Sequence, residues 1–148
     1  MKERIDNKKA RFDFELLERF EAGIELTGQE VKSLRNGRGS LEGSHVTVRG
    51  GEAFLIGATI PPFQVGNTPE NYDPMRHRRL LLNKKELSQL AGLESQRGLT
   101  IVPISVYNKG KVLKIEIAIA RGKKKHDKRE VTKSREAKRH IARTLKNT

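Results

Sequence analysis

One stretch limits the possible folds more than any other: residues 111–122, KVLKIEIAIARG. Leu113, Ile115, Ile117 and Ile119 recur at every second position, with Lys114, Glu116, Ala118 and Ala120 between them. A period of two marks a strand with one face on a core and the other in solvent. The pattern ends at Arg121-Gly122, and Lys123, Lys124, Lys125, His126, Asp127, Lys128 and Arg129 come next. That break separates a folded sheet or barrel from a basic tail. The charge divides at the same place. Residues 121–148 hold 12 Lys and Arg against 3 Asp and Glu, residues 1–120 hold 19 against 15, and the total is +13. Charge concentrated in this way attracts phosphate backbones by releasing condensed counterions. An anionic membrane is the rival partner, but residues 122–148 carry no Trp or Phe to bury in an interface. Nucleic acid is the expected partner, with no membrane.

The rest of the chain supplies the partners of that strand. At 148 residues it has the length of one domain. Residues 1–11 are charged and expected to be flexible. From Phe12, the alternation of Phe12, Phe14 and Leu16 passes out of phase into Leu17, Phe20, Ile24 and Leu26. A long strand with a bulge produces that switch of face. Phe12, Leu16, Leu17 and Phe20 also fit a helical stripe, but Gly23 and the later alternation favour strand. Thr27 and Glu30 form a capping box for a short helix that carries Val31 and Leu34 and stops at Gly37. Ser44–Arg49 and Glu52–Ile60 read as a hairpin around Gly50-Gly51, since glycines supply the positive φ of a primed turn. Residues 64–74 form a loop, and Asp73-Pro74 caps a short turn over Met75–Arg78. Leu80, Leu81 and Leu82 read as a short buried strand. Asn83, with Glu86 three residues on, caps a helix stopped by Gly92. Leu99–Tyr107 and Lys111–Ala120 make a last hairpin, bulged or at an edge where Pro103 has no N–H.

These elements predict a mainly β fold over residues 12–121. The expected form is a small antiparallel six-stranded barrel of the oligonucleotide-binding kind, with two or three short helices. A basic tail occupies residues 122–148. In it Ala137, Ile141 and Leu145 make too narrow a stripe to order a helix alone, so disorder in the free state and a helix on a partner are expected.

No catalytic constellation emerges. The chain has no cysteine, which excludes disulfides and thiolate chemistry. His45, His77, His126 and His140 lack metal-ligand spacing, and His126-Asp127 sits on a segment too mobile to preorganise an acid–base pair. Asp13, Glu15, Glu18, Glu21 and Glu25 fit the solvent face of a strand. An enzyme and a cofactor are both unexpected. No apolar run approaches the roughly 18 residues of a membrane helix, and the polar opening does not read as a secretory signal. A soluble cytoplasmic protein is expected. Arg76, Arg78 and Arg79, beside His77, are a basic cluster that either contacts RNA backbone or is a solvated loop.

Four motifs carry a resemblance: FEAGIELTGQEVKSLRNGR, GEAFLIGATI, RRLLLNKKEL and ARGKKKHDKRE. From about Asn7 onward the chain resembles the SsrA-binding proteins (small protein B), the partners of transfer-messenger RNA in bacterial trans-translation. The resemblance implies a barrel that grips the transfer-RNA-like part of that RNA. Glu21, Arg35, Leu81, Asn83 and Lys114 match family positions linked to RNA binding. It also implies that Lys123–Arg129 act at the ribosomal decoding region, and that Ile141 to Leu145 begin a helix in the empty messenger channel. Family members often carry a larger apolar residue at Thr144 and an aromatic at Ala137, so the tail helix departs from the pattern there. An elongation factor is implied only indirectly, through the charged RNA, and a monomer is expected. The alternatives are a generic nucleic-acid chaperone and a ribonuclease, the latter requiring a divalent ion or paired histidines.

Overall fold

The computed structural model describes residues 3–64, 66 and 68–123. Among them, seven antiparallel strands and three α-helices run in the order β1 (Glu3–Asp6), α1 (Lys8–Asp13), β2 (Phe14–Ile24), α2 (Gly28–Arg35), β3 (His45–Arg49), β4 (Glu52–Ile56), β5 (Arg78–Leu81), α3 (Lys84–Glu94), β6 (Leu99–Lys109) and β7 (Val112–Gly122). The alternating stretch is β7. It pairs with β6 on one side and with β2 on the other. Leu113, Ile115, Ile117 and Ile119 are each 5% exposed or less, while Lys114 and Glu116 are half-buried on the opposite face. Ala118 and Ala120 are also buried, because Ala10 of α1 packs over them with Val102 and Ile104 in a second, smaller cluster. A methyl side chain lets a helix come close, so a strand expected to face water there is covered on both faces.

That covering helix lies in residues 1–11 and the start of the expected first strand, which corrects two expectations. Glu3–Asp6 is a strand on β6, with Ile5 opposite Val106 and Asp6 opposite Ser105. The count is therefore seven strands rather than six. Asn7, 4% exposed, anchors the start of α1. Its Oδ1 accepts from the Ala10 N–H at 3.2 Å as the cap of that helix, and its Nδ2 donates to the carbonyls of Leu41 and Pro103 at 3.2 and 2.9 Å. Phe12 belongs to α1, and β2 starts at Phe14. The expected bulge lies between Leu16 and Arg19 and turns Phe20 and Ala22 inward.

Local signals elsewhere hold. Thr27 Oγ accepts from the Glu30 N–H at 3.3 Å while the Glu30 carboxylate accepts from the Thr27 N–H at 2.8 Å. Gly37, at φ +73°, ends α2 as its N–H reaches the Leu34 carbonyl. Gly50 and Gly51, at φ +59° and +77°, make the β3–β4 turn. The second strand of that hairpin is shorter than expected and stops at Ile56, with only the Ser40–Thr59 bridge beyond it. The short turn expected over Met75–Arg78 sits at Pro74-Met75, with the Asp73 carboxylate accepting from the Met75 N–H at 2.9 Å, and Arg78 already begins β5. The β6–β7 register shifts between Pro103 and Ser105, as the proline predicts.

The strand order is β1-β6-β3-β4-β5-β2-β7, with β6 and β7 also paired. One main core gathers Phe20, Val46, Leu55, Leu80, Ile101, Ile115 and Ile117 from these strands. Leu34 of α2 and Leu90 of α3 plug it.

Candidate nucleic-acid interface

Register places the predicted residues in a row. Leu81 of β5 lies opposite Gly23 of β2, Gly23 opposite Lys114 of β7, and Lys114 opposite Tyr107 of β6. The row faces outward. Leu81, expected in a buried strand, alternates away from the buried Leu80 and is 49% exposed. It lies over Gly23, where an added Cβ would stand 3.2 Å from the Leu81 Cβ. Glycine at 23 thus gives the leucine its seat.

Glu21 precedes Gly23 by two residues and shares its face. The Tyr107 hydroxyl donates to Glu21 Oε2 at 2.5 Å, and Lys109 Nζ donates to Oε1 at 2.8 Å. The Lys109 bond first, then the tyrosine bond, holds the carboxyl below its ordinary value against a modest opposing effect of burial. Tyr107 moves the other way, its phenol raised by burial and then by the carboxylate. Asn83 continues the row beyond Leu81 as the cap of α3. Its Oδ1 accepts from the Glu86 N–H at 2.8 Å, and Glu86 returns the bond at 3.2 Å. Arg35 ends α2 and donates to the Lys111 carbonyl at 2.8 Å, at the tip of the hairpin that carries Lys109. Glu21, Leu81 and Lys114 therefore share one outward face, with Asn83 two residues past Leu81 and Arg35 at the tip of the β6–β7 hairpin.

The basic cluster is not brought together as a unit. Arg78 is 0% exposed and belongs to the core, which corrects its reading as an RNA contact. Its guanidinium donates to Glu30 Oε2 at 2.8 Å and to the carbonyls of Ala58 and Pro74, each at 2.9 Å. In a strand, neighbours point to opposite faces, so Arg78 turns inward and Arg79 outward. Arg79 is exposed between Glu25 and Glu52, at 3.7 and 3.3 Å. Arg76 is partly exposed and binds Glu30 Oε1 at 2.7 Å. Glu30, itself 1% exposed, thus serves two arginines. Burial alone would raise its carboxyl; the bonds from Arg76, the Thr27 N–H and Arg78 outweigh that and hold it below the ordinary value.

Sequence reasoning missed Tyr107 and Lys109. Their partner Glu21 stands 86 and 88 residues away, beyond any local pattern. At the far end of β7, the Lys123 N–H donates to the Asp13 carbonyl at 2.9 Å and extends the β2–β7 ladder. The predicted tail residues Lys124, Lys125, His126, Asp127, Lys128, Arg129, Ile141 and Leu145 lie outside the described residues. Among the described residues there is no metal-ligand cluster, and no helix is long and apolar enough to cross a membrane.

Comparison with known proteins identifies the family of the chain. The family model described as SmpB protein matches residues 4–147. The SsrA-binding protein of Gloeothece citriformis is 48% identical over 141 residues, covering 95% of this chain and 91% of its own length. That of Microcystis aeruginosa is 50% identical over 141 residues, with 95% and 92% covered. That of Paraburkholderia xenovorans is 47% identical over 143 residues, with 97% of each covered. A solved chain described as "tmRNA-SmpB: a journey to the center of the bacterial ribosome" superposes with a TM-score of 0.69 at 44% identity, over 82% of this chain and 85% of its own. With matches that run through the outward row and almost the whole sequence, the chain belongs to the SmpB protein family.

Proposed function

We propose that the chain binds the transfer-RNA-like part of transfer-messenger RNA and delivers it to stalled ribosomes, in the cytoplasm, for trans-translation. The observation that carries this reading is the outward row from Asn83 and Leu81 across Gly23 to Lys114, with Glu21 beside it, in a chain whose relatives are SsrA-binding proteins. The body acts as an oligonucleotide-binding barrel. The pairing of β6 with β7 supports this, since the contacts then run β6-β3-β4-β5-β2-β7 and return to β6. β1 pairs with β6 at Ser105–Tyr107, beyond the Ile101 position where β3 pairs, and its Ile5 adds to the main core.

Binding, not catalysis, is the work of this surface. Lysine and arginine contacts to phosphate set the position of a folded RNA, while polar groups and the apolar Leu81 select its contour. On this reading Arg35 and Lys114 contact phosphate, as do Arg76 and Arg79 from the ion pairs they make with Glu30 and with Glu25 and Glu52. The expected tail boundary at 122 moves to 124, since Gly122 ends β7 and the Lys123 N–H is held by the sheet. From there the tail acts on the ribosome, through the basic run Lys123–Arg129 at the decoding region and Ile141 to Leu145 in the empty messenger channel. The excess positive charge of that segment supports the assignment.

Asn83→Ala separates the cap from the contact. It costs about 1 kcal/mol of stability as a lost helix cap. It also weakens binding of the RNA by about fivefold, the scale of one hydrogen bond. Melting and binding measured on the same sample check this, and a lowered Tm with unchanged affinity leaves Asn83 as a cap alone. A generic nucleic-acid chaperone, which the tail charge by itself would suit, binds without shape preference and with steep salt dependence. Competition by ordinary transfer RNA and by duplex DNA distinguishes the two readings. For a protein that recognises the shape of transfer-messenger RNA, neither competitor displaces the bound RNA at equal concentration.

A further inference from the structure

A carboxylate in the middle of an RNA-binding face needs a reason. Glu21 repels phosphate, so its use must be the acceptance of hydrogen bonds. A carboxylate offers about four lone-pair positions. Two are occupied, by the Tyr107 hydroxyl and the Lys109 ammonium. The two anchors differ. Lys109 is a flexible cation whose side chain is 56% exposed. Tyr107 is 5% exposed, held in the sheet opposite Lys114 on one side and Glu3 on the other. A tyrosine ring has two rotatable bonds and burial fixes both, so its hydroxyl is a rigid peg for a glutamate that has three.

We propose that Tyr107 is a positioning residue for RNA recognition, its hydroxyl aiming the Glu21 carboxylate so that the unused lone pairs meet N–H or O–H donors of the RNA. The ligand chemistry is a base amino or imino edge, or a ribose 2′-hydroxyl, and not a phosphate. Lys109 offsets the charge of Glu21 and is free to lean toward a neighbouring phosphate as the RNA arrives. The inference rests on the reading of this face as the one that contacts RNA.

The test uses the full chain and the transfer-RNA-like part of transfer-messenger RNA, with wild type, Tyr107→Phe, Glu21→Gln and the double variant. Loss of one charge-assisted bond predicts about tenfold weaker binding for Tyr107→Phe. Glu21→Gln weakens binding to a similar degree. The double variant binds no more weakly than Glu21→Gln, because Tyr107 acts only through the carboxylate. A pH profile adds a readout that a merely structural tyrosine would not move. The groups that face Glu21 are Tyr107 and Lys109 on β6 and Lys114 and Glu116 on β7, where Glu116 is paired with Arg19. Without the hydroxyl the Glu21 carboxyl rises toward its ordinary value, so the acid-side loss of binding begins at higher pH in Tyr107→Phe. In Glu21→Gln that shift is absent. Wild-type affinity in Tyr107→Phe, or a full tenfold loss added on top of Glu21→Gln, overturns the proposal. So does wild-type affinity in Glu21→Gln. If the wild type does not prefer this RNA to ordinary transfer RNA, the assignment of function fails, and the proposal fails with it.

Discussion

Glu30→Ala lowers stability by about 3–5 kcal/mol, the cost of leaving a buried charge without its counter-ion. For a domain of this size that is a Tm drop on the order of 10 °C or more. The reason is the position of Arg78, fully buried with its guanidinium on Glu30 and on the carbonyls of Ala58 and Pro74. With Glu30 gone, Arg78 keeps two carbonyl partners and no opposing charge. The same glutamate caps its own helix through the Thr27 N–H and holds Arg76, so one substitution loosens α2, the segment leading to β5 and the start of β5 together. Replacing Glu30 and Arg78 jointly by Leu and Met recovers much of the loss, because an apolar pair of similar volume removes both desolvation costs. The pH dependence has a definite sign. The folded Glu30 carboxyl lies below its ordinary value of 4.5, so its contribution is complete above that value and is lost as pH falls through the lower, folded one. Thermal melts monitored by circular dichroism between neutral pH and pH 3 check this: the wild type loses stability at the acid end, and Glu30→Gln loses less.

Removal of residues 124–148 abolishes tagging on stalled ribosomes and leaves affinity for transfer-messenger RNA within about threefold at moderate salt. The cut belongs after Lys123 for a structural reason. Arg121 pairs with Glu15 at 3.1 Å and the Lys123 N–H holds the Asp13 carbonyl, so a cut after Ala120 would fray the end of the β2–β7 ladder. The removed segment carries 10 Lys and Arg against 3 Asp and Glu. Its loss therefore reduces the salt dependence of RNA binding, since fewer counterions are released. A truncated protein that loses RNA affinity as severely as it loses tagging would refute the division of labour between body and tail.

How much of this was legible depends on the range of each interaction. Both capping boxes, the Gly50-Gly51 turn, the Pro103 bulge and the alternation of β7 involve residues within a few positions of one another, and all are readable from the string. β1 and α1 were not. KKARFD is charged and six residues long, and β1 is held by a partner strand about 100 residues away. Arg78 misled because a run of basic residues looks like one surface, whereas strand alternation sends it inward to a glutamate 48 residues earlier. The proposed RNA face shows the same split. Asn83 announces itself as a cap. Glu21 and Leu81 gained an RNA role only through family resemblance, and the tyrosine that braces Glu21 had no signal short of the folded register.

The most direct measurement is the identity of the RNA that the protein holds in cells. Full-length protein is purified from its host under native conditions at moderate salt, and the co-purifying RNA is extracted and sequenced against total RNA. The account predicts strong enrichment of transfer-messenger RNA over ordinary transfer RNA, diminished by Glu21→Gln on the outward face. RNA species recovered in proportion to their cellular abundance, with no change in that variant, would contradict it.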